Sequence, residues 1–191
     1  MATQVASPPV YRRLFNVDDY YRMAEVGIFA PGERRLELIE GEIFKMSPIG
    51  TKHASCITRL TAIFGDGLKD AAQVSIQNPV RLDDLSEPEP DVMLLKPRKD
   101  FYSEAHPSPT DVLLLIEVSD TTLYYDRKVK LPLYARSGIA EVWIVNLKKK
   151  VVELYRKPKH GKYQEAKTAT AKEMLKPQLV NLSIAVKEIL G

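Results

Sequence analysis

VLLLIEVSD, residues 112–120, runs through five apolar positions from Val112 to Ile116 and then turns acidic at Glu117. A short apolar run bounded by polar residues reads as a strand buried on both faces. A carboxylate at the mouth of such a strand is costly unless a cation faces it. The stretch therefore raises a question of chemistry as well as of fold. A second apolar strand, EVWIVN, follows at 141–146, and SDTTLYYDRKVKLPLYARSG between them has helical spacing from Tyr124 to Ala135. Strand, helix, strand predicts a parallel βαβ pair at the centre of a sheet. Pro132 should kink that helix or divide its turns.

Working outward, VVELYRK after the Lys148–Lys150 triplet reads as a hairpin partner of EVWIVN. A turn at His160-Gly161, a strand around Tyr163–Lys167 and a helix near Ile184–Leu190 complete the tail. Upstream, PDVMLL and VSIQNPVRL are strand candidates joined by an acidic, proline-containing link. Lys52 to Leu68 repeats apolar residues near a period of 3.6 and predicts a helix closed by the Gly65/Gly67 region. RLELIEGEIFKM reads as a hairpin turning at Glu40-Gly41. NVDDYYRMAEVG reads as a short helix capped by Asn16 and stopped at Gly27. Residues 1–13 read as a flexible arm and 14–191 as one domain with its core at about 34–157. The fold class is α/β: a central mixed β-sheet flanked by helices, with an N-terminal β-hairpin.

The totals narrow the function. A chain of 191 residues can bury a real core without disulfides, and its 45% hydrophobic and 28% charged content is that of an ordinary globular protein. No apolar run is long enough to span a bilayer, and MATQVASPPVYRR lacks the apolar centre of a secretory signal. The one cysteine, Cys56, fits an inert core thiol in a reducing cytoplasm. A net charge of +3 is too small to argue for a nucleic-acid partner by itself. No G-x-x-x-x-G-K-[ST] or G-x-G-x-x-G occurs, so a nucleotide cofactor has no support.

The acids carry more. PDVMLL opens on Asp91 and VLLLIEV closes on Glu117, so antiparallel pairing of the two strands would bring both carboxylates to one sheet edge. Like charges there call for a cation. Mg²⁺ suits them, because it takes oxygen ligands and needs only one or two protein carboxylates. On the following helix Asp126 and Lys130 are four residues apart and Tyr134 continues their face. Two readings stand: Lys130 is carried back to the acids by the crossover, or Asp126 and Lys130 form a solvated helix pair. Arg127 and Lys128 read as solvent-facing or phosphate-contacting, and the Lys148–Lys150 triplet as a solvated hairpin tip, with contact to phosphates as the alternative.

An acid after proline at a strand start, then an acid at the end of the next apolar strand, resembles the PD-(D/E)XK restriction-endonuclease-like superfamily. More narrowly, ELIEGEIFKMSPIG, His53, PEPDVML, LLIEVSDTT, YDRKVKLPLYARSGIAEVWIVN and VVELYR resemble the Uma-type family of bacterial endonucleases, over about Leu36 to Tyr155. The resemblance implies a phosphodiesterase that uses Mg²⁺, with Mn²⁺ as an alternative, and acts on DNA. Asp91 and Glu117 match the two acids. Ser119 stands where the superfamily places lysine, and Lys130 on the next helix takes that position. Glu37 matches a further acid near the metal, and His53 matches a family histidine, read here as a neutral packing or supporting residue. The Val118 backbone carbonyl would join Asp91 and Glu117 around the metal, and Lys130 would orient the attacking water or stabilise the transition state. Two-fold symmetry of duplex DNA suggests a homodimer. The alternative is a catalytically inactive member of the fold that binds DNA or protein.

Overall fold

A computed structural model of the chain describes residues 11–30 and 35–191. Helix α1 spans Val17–Glu25. Asn16 accepts from the Asp19 backbone N–H at 2.7 Å while the Asp19 side chain returns to the Asn16 N–H, a complete capping box. Strands β1 (Leu36–Ile39) and β2 (Glu42–Lys45) form the expected hairpin. Its turn residues Glu40 and Gly41 have φ of +50° and +77°, the type I′ geometry that matches strand twist. The predicted arm lies outside the described residues except for Tyr11–Arg13, which are exposed and in no regular element.

Gly41 admits no side chain. A Cβ there would sit 2.5 Å from the Leu14 Cβ, and its N–H already donates to the Leu85 carbonyl at 2.8 Å. Gly41→Ala is expected to lower unfolding stability by about 1–2 kcal/mol from the left-handed backbone alone, with the Leu14 clash in addition. Chemical denaturation midpoints check this, and an unchanged midpoint would contradict it.

Helix α2 (Thr51–Leu68) follows, then β3 (Gln73–Ile76), β4 (Val92–Leu95) and β5 (Val112–Ser119). Gly65 and Gly67 lie inside α2 rather than closing it. The chain turns out at Lys69 with φ of +45°, and a Cβ on Gly67 would meet the Leu182 side chain at 2.7 Å, so that glycine serves close packing of the tail. The crossover after β5 has three parts: α3 (Leu123–Tyr125), a π-helical turn Asp126–Lys130, and α4 (Leu131–Arg136). Pro132 explains the division. It has no N–H to donate and its ring crowds the carbonyl four residues back, so the helix widens just before it.

Strands β6 (Glu141–Asn146), β7 (Val151–Lys159) and β8 (Lys162–Thr170) extend the sheet past residue 157. Short β9 (Met174–Leu175), β10 (Ile184–Ala185) and α5 (Val186–Leu190) close the described chain. The six-stranded sheet has the order β3-β4-β5-β6-β7-β8, with β5 and β6 parallel and the other neighbours antiparallel.

Alternation divides the core into two layers. Val92, Leu94, Leu114, Ile116, Trp143 and Val145 pack with Cys56, Leu60 and Phe64 of α2. Met93, Leu115, Val142 and Ile144 pack with Leu133 and Tyr134 of α4. Each such side chain, fully buried, contributes roughly 1.5–3 kcal/mol. Cys56 has no exposed surface, and burial, against the pull of Arg59, pushes its thiol up to about 11; it is inert packing. Among the described residues, no helix is long and apolar enough to cross a membrane.

Candidate active site

The antiparallel register pairs Val92 with Ile116, which places Asp91 and Glu117 side by side where β4 begins and β5 runs toward its end. Both sit on the α4 face of the sheet, in phase with Met93 and Leu115. Asp91 Oδ2 accepts the Val118 backbone N–H at 2.9 Å and lies 3.0 Å from His53 Nε2, while Gln77 Nε2 reaches Oδ1 at 3.3 Å. Within a strand, the N–H and C=O of one residue point to the same side. The Val118 carbonyl therefore faces Asp91, whereas the next carbonyl, of Ser119, faces β6 and accepts the Leu147 N–H at 3.0 Å.

The wide π turn keeps Asp126 and Lys130 on the inward face, and Tyr134 continues it: all three are buried. Lys130 Nζ donates to Glu117 Oε1 at 3.1 Å and to Glu37 Oε1 at 2.9 Å, and Tyr134 donates its hydroxyl to Glu117 Oε1 at 2.6 Å. The solvated Asp126–Lys130 pair is thus ruled out. Asp126 Oδ2 instead accepts from Ser119 Oγ at 2.6 Å and Thr122 Oγ1 at 2.7 Å. Ser119, at the position where the superfamily pattern has lysine, anchors the acid one turn before Lys130. Arg127, read as solvent-facing or phosphate-contacting, keeps 37% of its side chain exposed and is committed to the Glu153 carboxylate on β7, with Nε–Oε2 at 2.8 Å. Lys128 is exposed as expected.

Of these groups His53, Asp91, Glu117, Thr122, Asp126 and Lys130 line a cleft of about 140 Å³, together with Arg35 and Glu89. Negative charge exceeds positive there. Burial pushes Glu117 up to about 8, with Asp126, Asp91 and Glu37 adding to it against the pull of Lys130. Burial likewise raises Asp126 and Glu89. Lys130 moves the other way: burial would lower it, but Glu117, Glu37 and Asp126 together hold it well above its ordinary value. Asp91 is the exception among the acids. Burial raises it, yet the His53 hydrogen bond and charge, the Val118 N–H and Lys130 outweigh burial and hold it below the usual range.

The acceptors left open are oxygens. Glu117 Oε2 and Asp126 Oδ1 have no partner among the described residues, and Glu37 Oε2 is buried without one. Oxygen-only donors with surplus negative charge fit a hard divalent cation such as Mg²⁺. Among the described residues, no three or more His, Cys, Asp and Glu form a ready metal cage; Mg²⁺ needs only one or two carboxylates from the protein. His53, expected to pack in support, touches Asp91 directly, and its Nδ1 is buried without a partner. Glu89 and Gln77 were missed. Glu87, Glu89 and Asp91 alternate in EPEPD, a spacing that points alternate acids to one side and was the available signal for Glu89. Gln77, at a strand end, left none.

A mixed sheet with two acids on adjacent strand mouths and helices on both faces defines the restriction-endonuclease-like class of α/β domains. A solved structure described as a "putative nuclease belonging to DUF820" from Anabaena variabilis shares the fold, with a TM-score of 0.68, 16% sequence identity, and coverage of 92% of this chain and 97% of that one. The family model described as "Uma2: Putative restriction endonuclease" matches residues 17–187, and the chain belongs to that family. No curated protein matches it.

Proposed function

We propose that the chain is a divalent-metal-dependent nuclease that hydrolyses phosphodiester bonds of DNA. The observation that carries this reading is the meeting of Asp91, Glu117 and the buried ammonium of Lys130 at one open sheet edge. Asp91, Glu117 and the Val118 carbonyl would hold the ion. When bound, Mg²⁺ supplies Lewis-acid polarisation of the phosphate and lowers the pKa of water beside it.

The chain's own groups do the positioning. Val118 N–H and His53 fix the Asp91 carboxylate and keep it ionised before any cation arrives. Tyr134 and Lys130 both bind Glu117 Oε1, which leaves Oε2 toward the cleft. Lys130 adds a fixed, buried cation to these acids, suited to stabilising phosphate charge in the transition state. A homodimer would match the two-fold symmetry of duplex DNA, and the free thiol of Cys56 agrees with a cytoplasmic site of action.

Calorimetric titration with Mg²⁺ or Mn²⁺, run beside a cleavage assay on plasmid DNA, tests the reading. The wild type should bind and cut, and Asp91→Ala should do neither. A wild type that binds DNA but neither metal nor cuts would favour the inactive binding module instead.

The pH dependence is also fixed in sign. Glu117 is raised from an ordinary 4.5 to about 8, so the metal-free fold loses this group's contribution as pH climbs between those values. Asp91 is lowered, so its contribution is lost only in acid. Glu117→Gln removes the first dependence. Its stability relative to wild type, measured by urea denaturation, should improve steadily from about pH 5 to about pH 8; a constant difference would show that Glu117 titrates normally.

A further inference from the structure

A second groove, of about 500 Å³, opens beside the cleft between the first turns of α2 and the β6–β7 turn, lined by Lys52, Ser55, Leu147 and Lys150 among others. The β6–β7 turn carries Lys148, Lys149 and Lys150, all exposed. Because β5 and β6 are parallel, this turn leaves the sheet at the same end as Glu117, and the Leu147 N–H to Ser119 carbonyl bond of 3.0 Å ties the two strand mouths together. α2 borders both hollows, with His53 facing the acids and Lys52 facing the groove.

Two features separate these lysines from a solvated tip. None of Lys52, Lys148, Lys149 or Lys150 has an ion-pair partner among the described residues, although Arg127, Arg136, Arg156 and Lys167 all pair with glutamates. The turn is also held from below by buried groups. Asn146, fully buried, accepts the Lys149 N–H at 3.0 Å and donates to Glu153 Oε1 at 3.2 Å, and Glu153 is clamped by Arg127 and by Tyr155 at 2.9 Å. Arg127 belongs to the π turn that carries Lys130 and Asp126. The same network therefore fixes the lysines relative to the acid cluster. Arg59 is not part of the free charge, since its guanidinium is committed to the Ile189 and Leu190 carbonyls and Ser55.

We propose that this groove and turn seat the phosphate backbone of the nucleic acid on one side of the scissile bond, with Lys52, Lys148, Lys149 and Lys150 binding the phosphates. The assignment rests on the reading of the cleft as a nuclease site. Charge complementarity selects the partner: unpaired lysines beside an acid cluster, three of them on a turn held from below, suit a repeating polyanion whose one phosphate enters the cleft and whose neighbours do not.

The test uses the full chain carrying Asp91→Asn, without metal, so that nothing is cut. Binding of fluorescent duplex and single-stranded oligonucleotides is measured by anisotropy across a salt series. Adding Lys52→Gln, Lys148→Gln, Lys149→Gln and Lys150→Gln should flatten log K against log salt by about 0.9 for each duplex phosphate no longer neutralised, or about 0.7 on single strands. Affinity at low salt should fall at least roughly tenfold. In the wild-type background the same lysine changes should raise KM and leave kcat within about twofold. A control that removes Lys172 and Lys187, exposed lysines elsewhere, should leave the slope unchanged.

An unchanged slope in the quadruple variant, an equal flattening in the control, or no binding by the parent overturns the proposal. Lysine-dependent binding by a wild type that never cleaves would sink the nuclease reading while the groove assignment stands. Cleavage with lysine-independent binding would do the reverse.

Discussion

Asp91→Asn is expected to reduce metal-dependent DNA cleavage by roughly 10³-fold or more, the largest single-residue effect on activity. The substitution keeps the shape of the side chain and keeps an acceptor for the Val118 N–H at 2.9 Å. His53 binds the same oxygen, Oδ2, and so keeps its partner, while the amide nitrogen takes the Oδ1 place, where the Gln77 side-chain amide can turn its oxygen toward it. What is lost is an acid whose ionised form its hydrogen bonds from His53 and the Val118 N–H favour against burial. Glu117, pushed upward by burial and by its neighbours, cannot replace it. Metal affinity should drop with activity, while the denaturation midpoint stays near that of wild type. Cleavage that survived within a few-fold at saturating Mg²⁺ would remove Asp91 from the chemistry and leave it as a strap for Val118.

The sheet was legible because its signals are local. Five apolar residues followed by Glu117, a helical stretch and a second apolar strand can hardly be arranged except as a parallel crossover, and β5, the α3–π–α4 helix and β6 form that unit. The approach of Asp91 to Glu117 was legible for the same reason, since each closes or opens a strand whose pairing follows from apolar alternation. The surroundings of Lys130 were not. Four-residue spacing puts Asp126 and Lys130 on one face without saying whether that face looks inward. The answer depends on the π turn ahead of Pro132 and on Glu37, which comes from a hairpin 93 residues upstream. The partner of Arg127 was hidden in the same way: Glu153 arrives from β7, and no helical periodicity announces it. Local pattern fixes which elements form. Long-range charge pairing decides what a polar side chain on them is for.

Lys130→Met tests that distinction with the largest expected effect on stability. Lys130 is only 2% exposed, and its ammonium separates two buried carboxylates at 2.9 and 3.1 Å. Removing one partner of a buried charge cluster typically costs about 3–5 kcal/mol, because the charges left behind stay desolvated and unpaired. The loss should appear in urea denaturation at neutral pH and grow as pH rises past about 8, where Glu117 ionises beside Lys130 in the wild type but without a cation in the variant. Neutralising one of the acids should reverse much of it, so Lys130→Met with Glu37→Gln is expected to recover most of the stability. That double variant separates the two tasks the site gives to one residue. If Lys130 is only a counter-ion, stability and cleavage return together. If its charge also stabilises the phosphate transition state, the double variant folds and binds metal but remains roughly 10²-fold slower in the chemical step. The second outcome is the expected one, because Glu117 would regain a tolerable environment through Tyr134 alone, while among the described residues no other lysine or arginine is buried beside these acids.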